Sequence, residues 1–142
     1  MGQFRDYPDK EMFENFPQPG RWELVRLEQE DFPKIYCIDY SYWNELSSYM
    51  RKPSAAAVNI RNGVEIYGVS NQPFWEGADY LKKGSFSSII LLSCKNEKYL
   101  IVEGHSRMTV YGLVPQKFAG SCGYIGYVTV EQMRKYDEWM SR

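Results

Sequence analysis

Ser87-Ser88-Ile89-Ile90-Leu91-Leu92-Ser93-Cys94-Lys95-Asn96-Glu97-Lys98-Tyr99-Leu100-Ile101-Val102-Glu103-Gly104-His105-Ser106-Arg107-Met108-Thr109-Val110-Tyr111-Gly112 is the stretch from which the fold can be read. Ser88 to Ser93 is a short run of mostly branched apolar residues, bounded by Gly84 and by Lys95-Asn96, and predicts a buried strand. Asn96 marks a reversal, and Tyr99 to Val102 is a second apolar run of strand length. The run stops at Glu103. Gly104-His105-Ser106-Arg107 then opens a short helix, in which Met108, Val110 and Tyr111 are apolar and which ends near Gly112. The only histidine of the chain sits at this corner.

A strand that feeds straight into a helix leaves first-turn N–H groups without helical partners. The peptide dipoles add partial positive charge at the same end. Gly104 permits a sharp turn or a close backbone approach. Ser106 can cap the helix or donate to a phosphate oxygen, and Arg107 brings a fork of donors suited to phosphate or carboxylate. Together these residues describe an anion site. Glu103 is a candidate metal ligand or proton acceptor. The same residues also suit a plain turn glycine, a helix cap, a surface cation and a structural histidine.

Leu81-Lys82-Lys83-Gly84, Ser88 to Leu92, Tyr99 to Val102 and Glu103-Gly104-His105-Ser106-Arg107 follow one another in an order that resembles the core of the ParB/sulfiredoxin superfamily. There a helix ends near a glycine, two strands follow, and the second runs into Gly-x-x-Arg and a helix. The nearest variant is the Asp-Gly-His-His-Arg of ParB-like small-molecule kinases. This chain has Glu103 for the aspartate and Ser106 for the second histidine. His105 stands where sulfiredoxin has its nucleophilic cysteine, which argues against sulfiredoxin chemistry. Asn71-Gln72-Pro73 is faintly similar to the Asn-x-x-Gln-Pro-Arg loop of ParB proteins, with the arginine missing. The resemblance covers residues 64 to 114. It implies a site for phosphates of ATP, ADP or CTP, often with magnesium. Gly104, His105, Ser106 and Arg107 would contact phosphate, His105 and Glu103 would be catalytic, and Glu103 would hold the metal. Kinase-like members use a further acid from earlier in the chain, for which Glu65 and Glu76 are the nearest candidates.

Outward from this core, residues 1–20 read as an amino-terminal arm broken by Pro8, Pro17 and Pro19, with Lys10 to Asn15 able to form one helical turn and Phe4, Phe13 and Phe16 able to pin the arm. Residues 21–142 read as one domain. Arg21 to Glu28 predicts a strand, and Asp31-Phe32-Pro33 a turn or helix start. Tyr42, Trp43, Leu46, Tyr49 and Met50 have helical spacing and predict aromatics packed on the sheet rather than a ligand platform. Pro53 to Arg61 predicts a helix ended by Asn62-Gly63. Val64 to Val69 alternates like a short strand. A helix is expected over about Glu76 to Lys83. Gly120 to Val128 predicts a strand with a bulge or an irregular extension. Thr129 caps a last helix over Val130 to Met140, with Glu131 or Gln132 near the capping-box position. The predicted fold is α+β: a small mixed β-sheet packed with helices, ParB/sulfiredoxin-like, with extra amino-terminal helices and a carboxy-terminal helix.

With 142 residues and 44% hydrophobic content, of which 16% of the chain is aromatic, a real core is expected. Seventeen basic against 18 acidic residues leave a net charge of −1, which lacks the basic excess of a dedicated DNA-binding domain. No apolar run is long enough for a membrane span. A polar start and three scattered cysteines lead to the expectation of reduced thiols and a cytoplasmic location. The first functional expectation is a nucleotide-phosphate-binding phosphotransferase or nucleotide hydrolase. The second is a non-catalytic nucleotide- or DNA-binding regulatory module, and the third a structural or toxin-associated protein with a vestigial corner.

Overall fold

The computed structural model describes residues 16–142. Its centre is a five-stranded mixed sheet in the order β1-β5-β3-β4-β2. The strands are β1 (Arg21–Arg26), β2 (Ile35–Tyr36), β3 (Ile89–Ser93), β4 (Tyr99–Glu103) and β5 (Cys122–Tyr127). β1 and β5 run antiparallel, β5 and β3 parallel, β3 and β4 antiparallel, and β4 and β2 parallel. Among the described residues five helices accompany them: α1 (Ser41–Leu46), α2 (Pro53–Arg61), α3 (Gln72–Lys83), α4 (His105–Leu113) and α5 (Val130–Tyr136). Single 3-10 turns lie at Gln29–Lys34, Pro115–Lys117 and Trp139–Ser141. The architecture is α+β, as expected.

The apolar hairpin fills the middle of the sheet. Leu91, Leu92, Leu100 and Ile101 are wholly buried, so β3 and β4 are covered on both faces, which explains their near-continuous apolar sequence. A bulge between Ile90 and Leu91 shifts the β3–β4 register just where β4 hands over to α4. α4 packs between α2 and α3, and two glycines allow it. A Cβ on Gly112 would lie 2.7 Å from the Ala57 Cβ, and one on Gly77 would lie 2.9 Å from Val110 Cγ2. Any side chain there would push α2 or α3 off α4.

Several expectations need correction. Val64 to Val69 forms no strand. Gly63, Tyr67 and Gly68 all have positive φ, and Val69 N–H closes a turn on the Ile66 carbonyl at 2.9 Å. Both sheet edges are taken by β1 and β2. α1 stops at Leu46, because Ser48, Tyr49 and Arg51 adopt left-handed backbone. β5 is regular along its whole length against two neighbours; the irregularity sits in β3–β4 instead. α3 begins at Gln72, with Pro73 in its first turn. The carboxy-terminal helix ends at Tyr136 and resumes as a 3-10 turn, and its capping box joins Thr129 to Gln132. β2 was not anticipated; two residues are too few for a periodic signal.

The expected arm falls mostly outside the described residues, as do Phe4, Phe13 and the turn at Lys10 to Asn15. Residues 16–20 lie along the body. Phe16 packs edge-on against Tyr136, 5.7 Å between centroids, and the Gln18 carbonyl accepts from Gln132 Nε2 at 3.2 Å. Among the described residues no helix is long and apolar enough to cross a membrane. Cys37, Cys94 and Cys122 are all free thiols, and burial pushes the Cys37 thiol up to about 12.

Candidate functional site

The corner forms as the sequence implies. β4 ends at Glu103, Gly104 turns the chain with φ 111° and ψ 24°, and His105 is the first residue of α4. This left-handed geometry favours glycine. The Gly104 carbonyl accepts the Met108 N–H at 2.8 Å, so the helix starts directly on the turn. Thr109 Oγ1 bonds back to the His105 carbonyl at 2.8 Å.

His105 does not face the outside. Its side chain is wholly buried, Nε2 accepts the Ile38 N–H at 3.1 Å, and the ring stacks on Trp43 at 5.3 Å and 24°. Burial, and secondarily the Arg51 guanidinium, lower its pKa from 6.5 to about 3. The ring is therefore neutral with its proton on Nδ1. The His105 imidazole, expected to contact phosphate and act in catalysis, is turned to Ile38 and Trp43, where it positions Trp43 and the β2–α1 connection. A pH effect follows. Between pH 6.5 and about 3 the unfolded chain binds the His105 proton and the folded chain does not. This contribution to stability is fully present above pH 6.5 and is lost as the pH falls, at up to about 1.4 kcal/mol per pH unit. Urea melts at pH 7 and pH 5 check it: His105→Gln should flatten the difference, and an unchanged difference would assign it to other groups.

Ser106 is exposed and Arg107 half-buried. Arg107 Nη1 donates to Ser87 Oγ at 2.6 Å and to the Ser87 carbonyl at 3.4 Å. Both residues line a cavity of about 450 Å³ between α1, α3 and the first turns of α4. Its walls are Tyr42, Trp43, Phe74, Pro73, Val69 and Val110, and Ser70 lies at its polar side. The size suits a small-molecule ligand, and so does an apolar lining with a few convergent polar groups. Sequence reasoning placed Tyr42 and Trp43 in the core. Trp43 serves both purposes, with one face on His105 and an edge-to-face contact to Phe74 at 6.3 Å. Phe74 directly follows the Asn71-Gln72-Pro73 motif, which by itself says nothing of an aromatic wall.

The candidate acids are not brought together. Glu103 is half-buried at the last position of β4, opposite Ile90, and does not line the cavity. Glu65 is exposed in the turn after α2, and Glu76 is exposed on α3; neither lines the cavity. Among the described residues no three His, Cys, Asp or Glu side chains cluster as a metal site. A magnesium ion would thus have Glu103 and ligand oxygens, not a protein cage, and the residues present do not fit a resident metal. Three aromatic rings, three hydroxyls and a guanidinium share the one cavity. Compared with protein-family models and with curated proteins, the chain matches none.

Proposed function

We propose that the domain binds a phosphate-bearing small molecule of the nucleotide class in the α1–α3–α4 cavity. The base lies on the Tyr42–Trp43–Phe74 wall, and the phosphate meets Ser106 and Arg107 at the start of α4. The single observation that carries this proposal is that the aromatic wall and the Ser106–Arg107 corner open onto the same cavity of about 450 Å³. The resemblance to the ParB/sulfiredoxin superfamily adds support, since its nucleotide phosphates sit at the corresponding corner, with ATP, ADP or CTP as the expected ligands. Among the described residues Arg107 spends only Nη1 on Ser87, and a guanidinium has five N–H donors in all.

Binding is favoured over turnover. Among the described residues no carboxylate lines the cavity, and phosphoryl transfer needs a base or a metal beside the phosphate. The role is then that of a nucleotide-responsive binding module. Thermal melts with ATP, ADP and CTP, with and without magnesium, test it. A ligand at 100 times its Kd should stabilise the fold by about 2.7 kcal/mol. Arg107→Ala removes a charge-assisted contact of about 1.5–3 kcal/mol and should weaken binding by about 10- to 150-fold. Equal shifts in wild type and variant would remove the phosphate corner from the site. Release of phosphate at a steady rate would restore the phosphotransferase or hydrolase reading.

A further inference from the structure

A second feature lies away from this cavity, at the end of the sheet where β1 begins, β5 ends and the β3–β4 turn projects. Cations sit over aromatic rings there. Arg21 lies 4.7 Å and Lys95 5.3 Å from the Tyr127 ring centre. Lys98 lies 4.7 Å from the Trp139 ring, and Lys52 lies 5.3 Å from Tyr36. Tyr36 and Trp139 meet edge-on at 4.9 Å. The single turn at residues 94–98 carries both Lys95 and Lys98, so the two groups form one ridge.

Among the described residues Arg21, Lys52 and Lys95 make no ion pair, whereas Lys98 Nζ donates to the Arg142 main-chain oxygen at 2.5 Å. Neighbouring carboxylates have other partners, although Glu23 sits at the Tyr127 ring itself and Asp39 lines the cavity beside the ridge. Asp137 holds Arg51, Glu138 holds Arg142, Glu23 accepts from Tyr127 Oη at 3.1 Å and Asp39 from Asn44 Nδ2 at 2.8 Å. Glu97, at the tip of the turn, is the opposing charge. A chain of net charge −1 has gathered four cations over aromatic rings at one end, and three of them, Arg21, Lys52 and Lys95, make no ion pair among the described residues. A cation held over a ring keeps its charge and is aimed, with part of its ordering cost already met. Beside the ridge lies a second cavity, of about 460 Å³, whose lining includes Tyr36, Trp139 and the exposed Tyr49 and Met50.

We propose that this ridge is a single-stranded nucleic-acid surface: phosphates follow Arg21, Lys95, Lys98 and Lys52, and a base enters the Tyr36–Tyr49–Trp139 cavity. Cations interleaved with aromatic rings are what a sequence-tolerant strand needs, since the backbone requires charge and each base offers a face for stacking. A double helix offers no unstacked base to the cavity.

Fluorescence anisotropy with a labelled oligouridine and an oligothymidine, on the full chain at 50 and 200 mM salt, tests the proposal. Four phosphate contacts predict a slope of log affinity on log salt near −3, at about −0.7 per contact. Lys95→Gln and Lys98→Gln should each weaken binding several-fold and flatten the slope by about 0.7. Glu97→Gln should tighten it, and Lys117→Gln, toward the other end of β5, should leave it unchanged. Trp139 fluorescence should quench on binding. If the Lys98 variant melts early, Arg21→Gln, on an exposed strand position, is read in its place. No binding at 50 mM salt, wild-type affinity in the lysine variants, or equal affinity for inorganic polyphosphate of matched charge overturns the proposal.

Discussion

Asp137→Ala is expected to lower the unfolding free energy by about 3–5 kcal/mol, the range for removing one partner of a buried ion pair. Arg51 and Asp137 pair through both guanidinium Nη atoms and both carboxylate oxygens, with side chains only 12% and 9% exposed. The aspartate gone, the guanidinium stays trapped. Arg51 Nε donates to the Cys37 carbonyl at 3.1 Å, its backbone N–H to Ser47 Oγ at 2.9 Å, and its carbonyl accepts the Cys37 N–H at 2.7 Å. Its side chain also lies over the Trp139 ring at 5.5 Å. The arginine cannot swing to water without dismantling the turn after α1. Asp137 in turn ends α5 and accepts the Met140 N–H at 3.4 Å, so the pair fastens the carboxy-terminal turn to β2. Replacing both, as Arg51→Met with Asp137→Leu, should recover much of the loss, because no charge is then left unpaired. Urea melts at pH 7 decide it. A single-variant loss under about 1 kcal/mol would mean that water reaches the guanidinium and the pair behaves as a surface one.

Gly104→Ala should cost about 2–6 kcal/mol, from two separable sources. The backbone at φ 111° strains any residue with a Cβ, at about 1–3 kcal/mol. That Cβ would also stand 2.6 Å from Ile89 Cγ2 and 3.2 Å from Ile89 Cβ, in a core where Ile89 is 2% exposed. Overpacking of this kind adds about 1–3 kcal/mol. A double-mutant cycle with Ile89→Ala separates the terms: the clash disappears when Cγ2 is gone, and the backbone strain does not. Additive effects would show that the loop shifts away from Ile89. The new Cβ would be 3.6 Å from Arg107 Nη2, so ligand affinity and stability should fall together.

The sequence announces what periodicity and punctuation control. The Ile89–Ser93 and Tyr99–Glu103 hairpin, the corner at Gly104, and α2 between Pro53 and Asn62 come out close to their expected bounds. Val64 to Val69 fails because alternation is necessary for a strand but not sufficient, and Tyr67-Gly68 turns the chain before a partner is met. Tyr49 and Met50 continue the helical spacing of α1, yet both point to solvent after a left-handed turn. At the site, the corner was legible because glycine, serine and arginine act through local backbone geometry. The burial of His105 was not, since it depends on Ile38 and Trp43, which lie more than sixty residues earlier in the chain. The aromatic cavity wall was equally hidden: Trp43 spaced for a core reads the same whether its outer face meets protein or ligand.

One consequence of the sheet order concerns how the protein is made. Arg21 has its cross-strand partner in Tyr127, and β5 sits between β1 and β3. A chain leaving the ribosome would therefore carry β1 without its neighbour until Tyr127, about a hundred residues later, has been synthesised. The β3–β4 hairpin can close early from local contacts, but β1 is joined to it only through the latest strand. Such sequence separation raises contact order and slows folding, and it leaves the Trp22 and Leu24 side chains on an unpaired ribbon during the wait.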